Sequence, residues 1–218
     1  MKIIDLTLDI YDGMPTPPCD WHPRTEITIL GRLGLEGRMS RKITLGSHTG
    51  THVDGSIHVL KDGLSVDQLS LETLVGRARL IDMSHKGPLG GITKNELQRY
   101  DIGEGERIVI RTDWSDKWDT QDYFSRRPYI ESEAIEWLAG RISLLGLDIC
   151  APGDPRKSFL VLGVPPPDHL PLLQNGVILV EYLTNLRAVT QETFTLIALP
   201  LKVRGSDGAP ARVIAIED

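Results

Sequence analysis

A short segment of the chain concentrates residues that bind metal ions. Residues 47–58 hold three of the six histidines, His48, His52 and His58, together with Asp54. Imidazole nitrogens and carboxylate oxygens suit a borderline divalent ion such as Zn²⁺, Mn²⁺ or Fe²⁺. A single histidine is usually a surface or core residue, but so dense a group has few structural explanations. The segment therefore predicts a metal site.

The spacing of these side chains favours an extended, bent segment over a helix. His48 and His52 stand four positions apart, as two ligands on one helical face would, but the glycines and threonines around them are poor helix formers. In an extended chain the four even-numbered positions instead point to one side. A straight strand would spread them over about 33 Å, too far for one site. The chain must bend, and Gly50 and Gly55 allow this most easily.

The two cysteines and the remaining histidines lie outside this cluster. Cys19 and Cys150 lie far apart and belong to no CxxC pair, which predicts neither a disulfide framework nor a thiolate zinc knuckle. This pattern is typical of a reduced compartment, and we expect a cytoplasmic protein. His22 and His85 are predicted to be ordinary surface or core residues.

The composition excludes several classes of partner. Of the 218 residues, 40% are hydrophobic and 25% charged, which is typical of a soluble globular protein with a substantial core. The net charge of -6 and the lack of a basic run argue against nucleic acid as a partner. No uncharged apolar run reaches about 18 residues, and Asp5 and Asp9 interrupt the apolar N-terminus, so neither a membrane span nor a signal peptide is expected.

Hydrophobic patterning predicts a mixture of strands and helices. Eight strands are predicted, at 3–8, 26–30, 78–83, 107–111, 144–149, 177–182, 194–203 and 212–216. Helices are predicted at 93–100, 132–139 and 168–175. The first of them opens with the capping-box pair Thr93 and Glu96.

The order of these elements predicts the fold class. The strands at 107–111 and 144–149 flank the helix at 132–139, which indicates a βαβ unit and some parallel sheet. The proline-rich stretch at 163–168 is too short for an interdomain linker. We predict a single mixed α/β domain with substantial β content over residues 1–218.

One predicted loop is long for a compact domain. Residues 111–128 carry no clear strand or helix pattern, and such loops usually have a functional or covering role. Trp114 and Trp118 lie in it and either cover a planar substrate or anchor the loop in the core. Asp113 and Asp148 follow or end strands and are predicted to cap turns.

The histidine segment is part of a longer motif, His48-Thr-Gly-Thr-His52-x-Asp54-x-x-x-His58. With it the chain resembles the cyclase family of metal-dependent hydrolases, which includes the bacterial kynurenine formamidases and the isatin hydrolases. The likeness extends through five further stretches, at 4–7, 11–15, 76–82, 110–115 and 181–186. The resemblance implies a swivelling β/β/α type of fold and a homodimer or homotetramer.

The resemblance also implies roles for the motif residues. In kynurenine formamidases the first two histidines and the aspartate bind a two-zinc centre, with the aspartate bridging, and the last histidine acts in acid–base catalysis. His48, His52 and Asp54 would then be metal ligands and His58 the catalytic histidine. An alternative role for His58 is that of a further ligand or an orienting group. Zn²⁺ is the expected ion, one or two per site, with Mn²⁺ as the alternative suggested by the isatin hydrolases.

Two later residues complete the implied ligand set. Kynurenine formamidases carry a histidine followed twelve residues on by a glutamate, and His169 and Glu181 have that separation. Glu181 also ends an apolar strand, where a buried carboxylate needs a partner such as a metal ion.

The N-terminal loop departs from the kynurenine formamidase pattern. Pro17 stands where those enzymes carry a tryptophan that contacts the substrate, and Cys19 stands where they carry a glycine. Trp21 is a candidate replacement, and Trp114 is a second candidate for substrate contact. The usual Asp-Ala-Pro-x-His is also changed, because Gly55 and Ser56 follow Asp54.

Three functions follow from the resemblance. The first is hydrolysis of an aryl formamide such as N-formylkynurenine, an activity of tryptophan catabolism, by metal-activated water. The second is hydrolysis of a cyclic amide or lactone, of which isatin is the family's example. The third is a metal-binding module without catalytic activity, against which the acid–base histidine His58 argues, because a sensor needs no such group.

Overall fold

An eight-stranded sheet forms the centre of this computed structural model, which describes residues 1–19, 21–120, 122–157 and 168–218. Two further pairs of strands flank it. In chain order the strands are β1 (Lys2–Asp5), β2 (Glu26–Gly31), β3 (Ser40–Thr44), β4 (His52–Asp54), β5 (Val75–Asp82), β6 (Gly91–Ile92), β7 (Glu106–Arg111), β8 (Tyr129–Ile130), β9 (Ile142–Leu147), β10 (Ile178–Glu181), β11 (Thr193–Pro200) and β12 (Gly208–Glu217).

The central sheet closes on itself through β4. The strand order is β1-β12-β11-β5-β7-β9-β10-β4, and β4 also pairs with the first residues of β12. Strands β5, β7, β9 and β10 run parallel, whereas β4, β11, β12 and β1 pair in antiparallel fashion. Closure removes the exposed edges that an open sheet would leave. The result is a barrel-like core, and the predicted mixed α/β class is confirmed.

The helices are short, and the two longest of them pack against one face of this sheet. In chain order the helices are α1 (Leu33–Glu36), α2 (Leu71–Leu74), α3 (Lys94–Leu97), α4 (Asp122–Ser125), α5 (Ser132–Ala139) and α6 (His169–Gln174). Helix α5 buries the apolar stripe that its sequence predicts, with Ala134, Ile135 and Leu138 in the core. It connects β7 to the parallel strand β9, so the predicted βαβ unit is confirmed.

Alternation along the strands separates two apolar clusters. Val53 of β4, Val180 of β10 and Val213 of β12 belong to the cluster that the closed sheet encloses. Leu179 of β10 points the other way and packs with Leu172 of α6 in the cluster under the helices. Because side chains alternate with a period of two, the residues next to Val53 and Val180 face the helical layer. Among them are three predicted metal ligands, His52, Asp54 and Glu181.

Most predicted elements are present, with shifted ends. The predicted strand at 194–203 ends at Pro200, and the helix predicted at 93–100 is α3 followed by a 3-10 turn at Gln98–Tyr100. The helix predicted at 168–175 is α6, while residues 163–167 of the proline-rich stretch lie outside the described residues. The hairpin partner β3 and the three-residue strand β4 were not predicted, because their sequences are too polar or too short to show the hydrophobic pattern of a strand.

No helix in the described ranges has the length and apolar composition that a membrane span requires.

The capping box of α3 contributes to stability in a pH-dependent way. Glu96 accepts hydrogen bonds from the backbone N–H and hydroxyl of Thr93, and Lys86 pairs with it at 2.7 Å. Although partial burial opposes ionisation, Lys86 and Thr93 lower the pKa of Glu96 to about 2 from its ordinary 4.5. The stability that the ionised carboxylate contributes is therefore complete above about pH 4.5 and is lost as pH falls through about 2.

We expect Glu96→Gln to lower the free energy of unfolding by about 1 kcal/mol at pH 7, with the difference from wild type disappearing near pH 2. Urea unfolding at a series of pH values measures this. Glu133→Gln is the control, since its exposed pairing with Lys94 is expected to contribute less than about 0.5 kcal/mol. An equal loss in both variants, or a pH-independent loss at Glu96, would contradict the assignment.

Candidate metal centre

The pairing of β4 with β10 brings three of the predicted ligands to one place. The two strands are antiparallel, with His52 directly opposite Glu181 and Val53 opposite Val180. Residues directly opposite in a sheet point to the same face with their Cβ atoms about 5 Å apart. His52, Asp54 and Glu181 therefore meet beneath the helical layer, where each is at most 3% exposed.

A first potential ligand set consists of His48, His52 and Asp54. Nδ1 of His48 lies 2.9 Å from Oδ1 of Asp54, and Nε2 of His52 lies 3.2 Å from the same oxygen. One donor atom from each of the three residues lies within 4.8 Å of the other two, so one ion can contact all of them.

A second potential set consists of Asp54, His169 and Glu181. Nε2 of His169 lies 3.2 Å from Oε1 of Glu181 and 4.0 Å from Oδ2 of Asp54. His169 is the first residue of α6, so the helix carries it onto the sheet residues. The two oxygens of Asp54 thus face different sets, so this carboxylate could offer one ligand atom to each.

The unpaired polar atoms of the site fit a divalent cation. Nε2 of His52, both carboxylate oxygens of Asp54 and Oε1 of Glu181 are buried and have no hydrogen-bond partner among the described residues. Burying such groups without compensation is costly. Histidine nitrogens with carboxylate oxygens are the donor set that zinc and manganese accept. The residues present therefore fit the metal implied by the sequence motif.

In the metal-free protein, protons balance the buried carboxylates. Although burial opposes the charged form, the carboxylates of Asp54 and Asp207 raise the pKa of His48 to about 10. Burial likewise opposes the charged form of His169, but Glu181 raises the pKa of this histidine to about 9. A metal ion that binds at neutral pH must displace these protons, because a histidine ligates through a neutral nitrogen.

Backbone contacts orient the two motif histidines. Nδ1–H of His52 donates to the carbonyl oxygen of Gly50 at 2.8 Å, which leaves Nε2 free to face the ligand set. His22 donates from Nε2 to the carbonyl oxygen of His48 at 3.0 Å. His22 is thus a supporting residue of the site, which its isolated position in the sequence did not indicate.

Asp207 is a site residue that the sequence analysis missed. Its Oδ2 atom lies 2.8 Å from Nε2 of His48 and 3.1 Å from Nδ1 of His58. It directly precedes Gly208, which pairs with Asp54 at the start of β12. No local pattern marks Asp207, since only the β12–β4 pairing brings it to the histidines. His48, His58 and Asp207 also lie close enough to share an ion, so the alternative role of His58 as a ligand stays open.

A cavity of about 290 Å³ opens onto this centre. The ring of Trp21 stands edge-on to His48, with the ring centres 6.4 Å apart, and the indole is 53% exposed at the cavity mouth. The described residues that line the cavity are Pro17, Trp21, His22, His48, His52, His58, Val59, Phe124, Arg127, Cys150, Ala151, Asp168, His169, Glu181, Tyr182 and Asp207. The cavity thus combines the potential metal ligands with apolar and aromatic walls.

Comparison with known proteins assigns the family. The Cyclase family model matches residues 4–153. The chain belongs to the cyclase family. Among curated members, the kynurenine formamidase of Salinibacter ruber is 34% identical over 174 residues, which cover 79% of this chain and 77% of that enzyme.

Solved structures of cyclase-family enzymes share the fold. Isatin hydrolase A from Ralstonia solanacearum aligns with a TM-score of 0.87 at 25% identity, covering 99% of this chain and 92% of that one. Isatin hydrolase A from Labrenzia aggregata, bound to benzyl benzoate, aligns with a TM-score of 0.86 at 28% identity, covering 100% and 94%. The predicted family, fold class and enzyme class, a hydrolase of carbon–nitrogen bonds, are confirmed.

Within this cyclase-family fold the tryptophans occupy different environments. Pro17 and Trp21 both line the cavity, so the contact of Trp21 with a substrate stays a prediction. Trp114 is 5% exposed, and its indole N–H donates to the carbonyl oxygen of Tyr123, so it anchors the long loop in the core. Trp118 packs edge-on against Tyr123 and Tyr182. Trp114 is not among the described residues that line the cavity.

The two strand-end aspartates have structural surroundings. Asp148 is buried and accepts hydrogen bonds from the backbone N–H groups of Thr112 and Asp113. Asp113 pairs with Arg111 and Arg187. Both aspartates thus stabilise the turn after β7, as expected of turn-capping residues.

Gly208 leaves the space that the His48 ring occupies. A Cβ atom at this position would lie 2.8 Å from Cε1 of His48. We expect Gly208→Ala to displace the ring and weaken metal binding by roughly 10- to 100-fold, as loss of ligand orientation does elsewhere. Metal titration of the purified protein measures the change. Gly140→Ala is the control, because no atom lies within 4 Å of its added Cβ. Unchanged metal affinity in Gly208→Ala would argue against His48 as a ligand.

Proposed function

We propose that this chain, as one catalytic domain over residues 1–218, is a metal-dependent amidohydrolase that cleaves an aryl formamide such as N-formylkynurenine. The observation that carries the proposal is the sharing of Asp54 between two ligand sets beside His58. Zn²⁺ is the proposed ion and Mn²⁺ the alternative. A cytoplasmic homodimer or homotetramer is the corresponding expectation for the assembly.

The metal has a defined chemical contribution. A bound divalent ion lowers the pKa of water toward neutrality and polarises the carbonyl oxygen at which negative charge develops. His48, His52 and Asp54 would hold one ion, and Asp54, His169 and Glu181 a second. Asp207 accepts a hydrogen bond from Nε2–H of His48, which leaves Nδ1 of that ring directed toward Asp54.

His58 is the proposed proton carrier. Nδ1–H of His58 donates to the carboxylate of Asp207 at 3.1 Å, which leaves Nε2 as a proton acceptor. His58 is 19% exposed and lines the cavity, so it can reach a bound substrate. It would accept a proton from the attacking water and return it to the leaving nitrogen. Asp207 holds the required tautomer, as the third group of a hydrolytic triad does.

The cavity walls suit a planar substrate. Trp21, Val59 and Phe124 present apolar surface to a space of about 290 Å³, which is the size of a small-molecule site. An aromatic ring packed against them would exclude water around the scissile bond. Aromatic faces also stack favourably on one another, which supports an aryl substrate.

A cyclic amide or lactone such as isatin is the second candidate substrate. The structural likeness to isatin hydrolases covers nearly the whole chain, whereas Pro17 replaces the tryptophan expected of kynurenine formamidases. Both substrates need the same centre, since each reaction adds water across a carbonyl–nitrogen bond. The catalytically silent module is disfavoured by His58, because a purely metal-binding protein would not require an acid–base group beside its ligands.

Turnover of the metal-loaded protein tests the proposal. We expect hydrolysis of N-formylkynurenine with a higher kcat/KM than hydrolysis of isatin, measured by absorbance of the released arylamine and of isatinate. Asp54→Ala should lose both metal and activity, while Asp62→Ala, a change at an exposed residue, should keep both. Full occupancy by metal without hydrolysis of any amide or lactone would instead favour the silent module.

The role of His58 is tested separately. We expect His58→Ala to keep its bound metal and to lose roughly 10²- to 10⁴-fold in kcat, the usual contribution of a general acid–base group. Elemental analysis and steady-state kinetics measure the two quantities on one sample. Loss of metal with a preserved rate per bound ion would make His58 a ligand.

A further inference from the structure

Arg127 is a buried cation in the wall of the candidate site. Its side chain is 2% exposed and is among the largest fully buried side chains of the protein. Nε donates to the carbonyl oxygen of Ala151 at 3.1 Å. Nη1 is buried and has no hydrogen-bond partner, although the residue lines the same cavity as the metal ligands.

No carboxylate among the described residues lies within 4 Å of this guanidinium. Other arginines have such partners, for example Arg79 with Glu106 and Arg111 with Asp113. An unpaired buried charge is strongly unfavourable, and an isolated arginine cannot discharge itself by losing its proton. Within the described part of the chain, the guanidinium is therefore a positive charge without an ion-pair partner beside the cavity.

The side chains around Arg127 include weak acids that stay neutral, whereas the carboxylates of Asp168 and Glu181 line the same cavity without forming an ion pair with it. Burial raises the pKa of Cys150 to about 11, against the opposing charge of Arg127, so its thiol stays neutral at physiological pH. Burial also raises the pKa of Tyr123 well above 10, again against Arg127. The hydroxyl of Tyr123 is a second buried group without a hydrogen-bond partner. Arg127 and Tyr123, which interact electrostatically, thus each carry a buried donor that has no partner among the described residues.

We propose that Arg127 binds a carboxylate of the substrate, so that the natural substrate is an amide that also carries a negative charge. This inference rests on the proposed amidohydrolase function and narrows its substrate class. A carboxylate would neutralise the guanidinium and accept from Nη1 in a charge-assisted hydrogen bond. The apolar walls would hold the body of the molecule, while the scissile amide reaches His58 and the metal ligands in the same cavity.

A pair of matched substrates separates charge recognition from catalysis. 2-Formamidobenzoate and formanilide both react with water at the formyl carbon; the C–N bond breaks, the nitrogen gains a proton, and formate and an arylamine are released. They differ only in the ring carboxylate. We expect Arg127→Met to lower kcat/KM for 2-formamidobenzoate by roughly 10- to 100-fold, mainly through KM, and to change that for formanilide by less than about threefold.

Control variants isolate the contribution of Arg127. Arg126→Met removes the neighbouring charge, which is 54% exposed and pairs with Asp122, and should leave both substrates unaffected. Arg127→Lys should restore part of the preference for the carboxylate, because it keeps the charge without the planar fork. Arg127→Gln serves as a second neutral variant if the methionine variant does not fold.

Stability and binding give readouts that do not depend on turnover. Removal of an unpaired buried charge should leave the melting temperature of the ligand-free protein unchanged or raise it. Binding of 2-aminobenzoate, followed by its fluorescence, should weaken at least tenfold in Arg127→Met at equal metal content. A binding mode through the metal alone would be insensitive to this substitution.

The outcomes distinguish failure of this inference from failure of the proposed function. Equal losses for both substrates, or a lowered melting temperature with unchanged 2-aminobenzoate binding, would make Arg127 structural and overturn the inference while the hydrolase function stands. If wild type hydrolyses neither substrate, nor N-formylkynurenine, nor isatin, the proposed function fails. In that case, binding of 2-aminobenzoate that depends on Arg127 still supports a carboxylate site there. If no such binding is found, the inference about Arg127 is overturned as well.

Discussion

The pairing of β4 with both β10 and β12 determines the geometry on which the centre depends. This strand has only three residues, yet it closes the sheet and presents His52 and Asp54 to the helical layer while Val53 fills the enclosed core. A slip of one residue would exchange these faces and place a valine at the centre. The same pairing aligns Glu181 with His52 and Gly208 with Asp54. The register of a short buried strand therefore decides whether a ligand set exists.

Electrostatic compensation ties the site to this framework. Asp54 and Glu181 are buried where water cannot solvate them, so in the metal-free protein protonated His48 and His169 balance their charge. A divalent ion can take over that role, with release of protons. Arg127 is the exception, because no described carboxylate balances it. The cavity wall thus holds a buried cation that no carboxylate of the described ranges pairs with.

Local sequence patterns predicted the elements that depend on neighbouring residues. The capping box at Thr93 and Glu96, the apolar stripe of α5 and the strong parallel strands follow from short-range periodicity. The histidine cluster could be identified because its members lie within twelve residues. His169 and Glu181 were reached through the family resemblance, since no spacing rule connects positions so distant from the motif. The ends of the elements shifted because tertiary contacts decide where a strand or helix stops.

By itself, the sequence determined the family, the mixed α/β class and the residue types of a metal site, because these depend on composition and on local spacing. The tertiary structure alone decided which groups surround that site. Asp207 lies 149 positions from His58, and His22 lies 26 from His48, yet both contact the motif. The burial and contacts of Arg127 likewise cannot be predicted from the residues next to it in the sequence. Such contacts arise from sheet closure and burial, which bring distant residues together without leaving a local pattern.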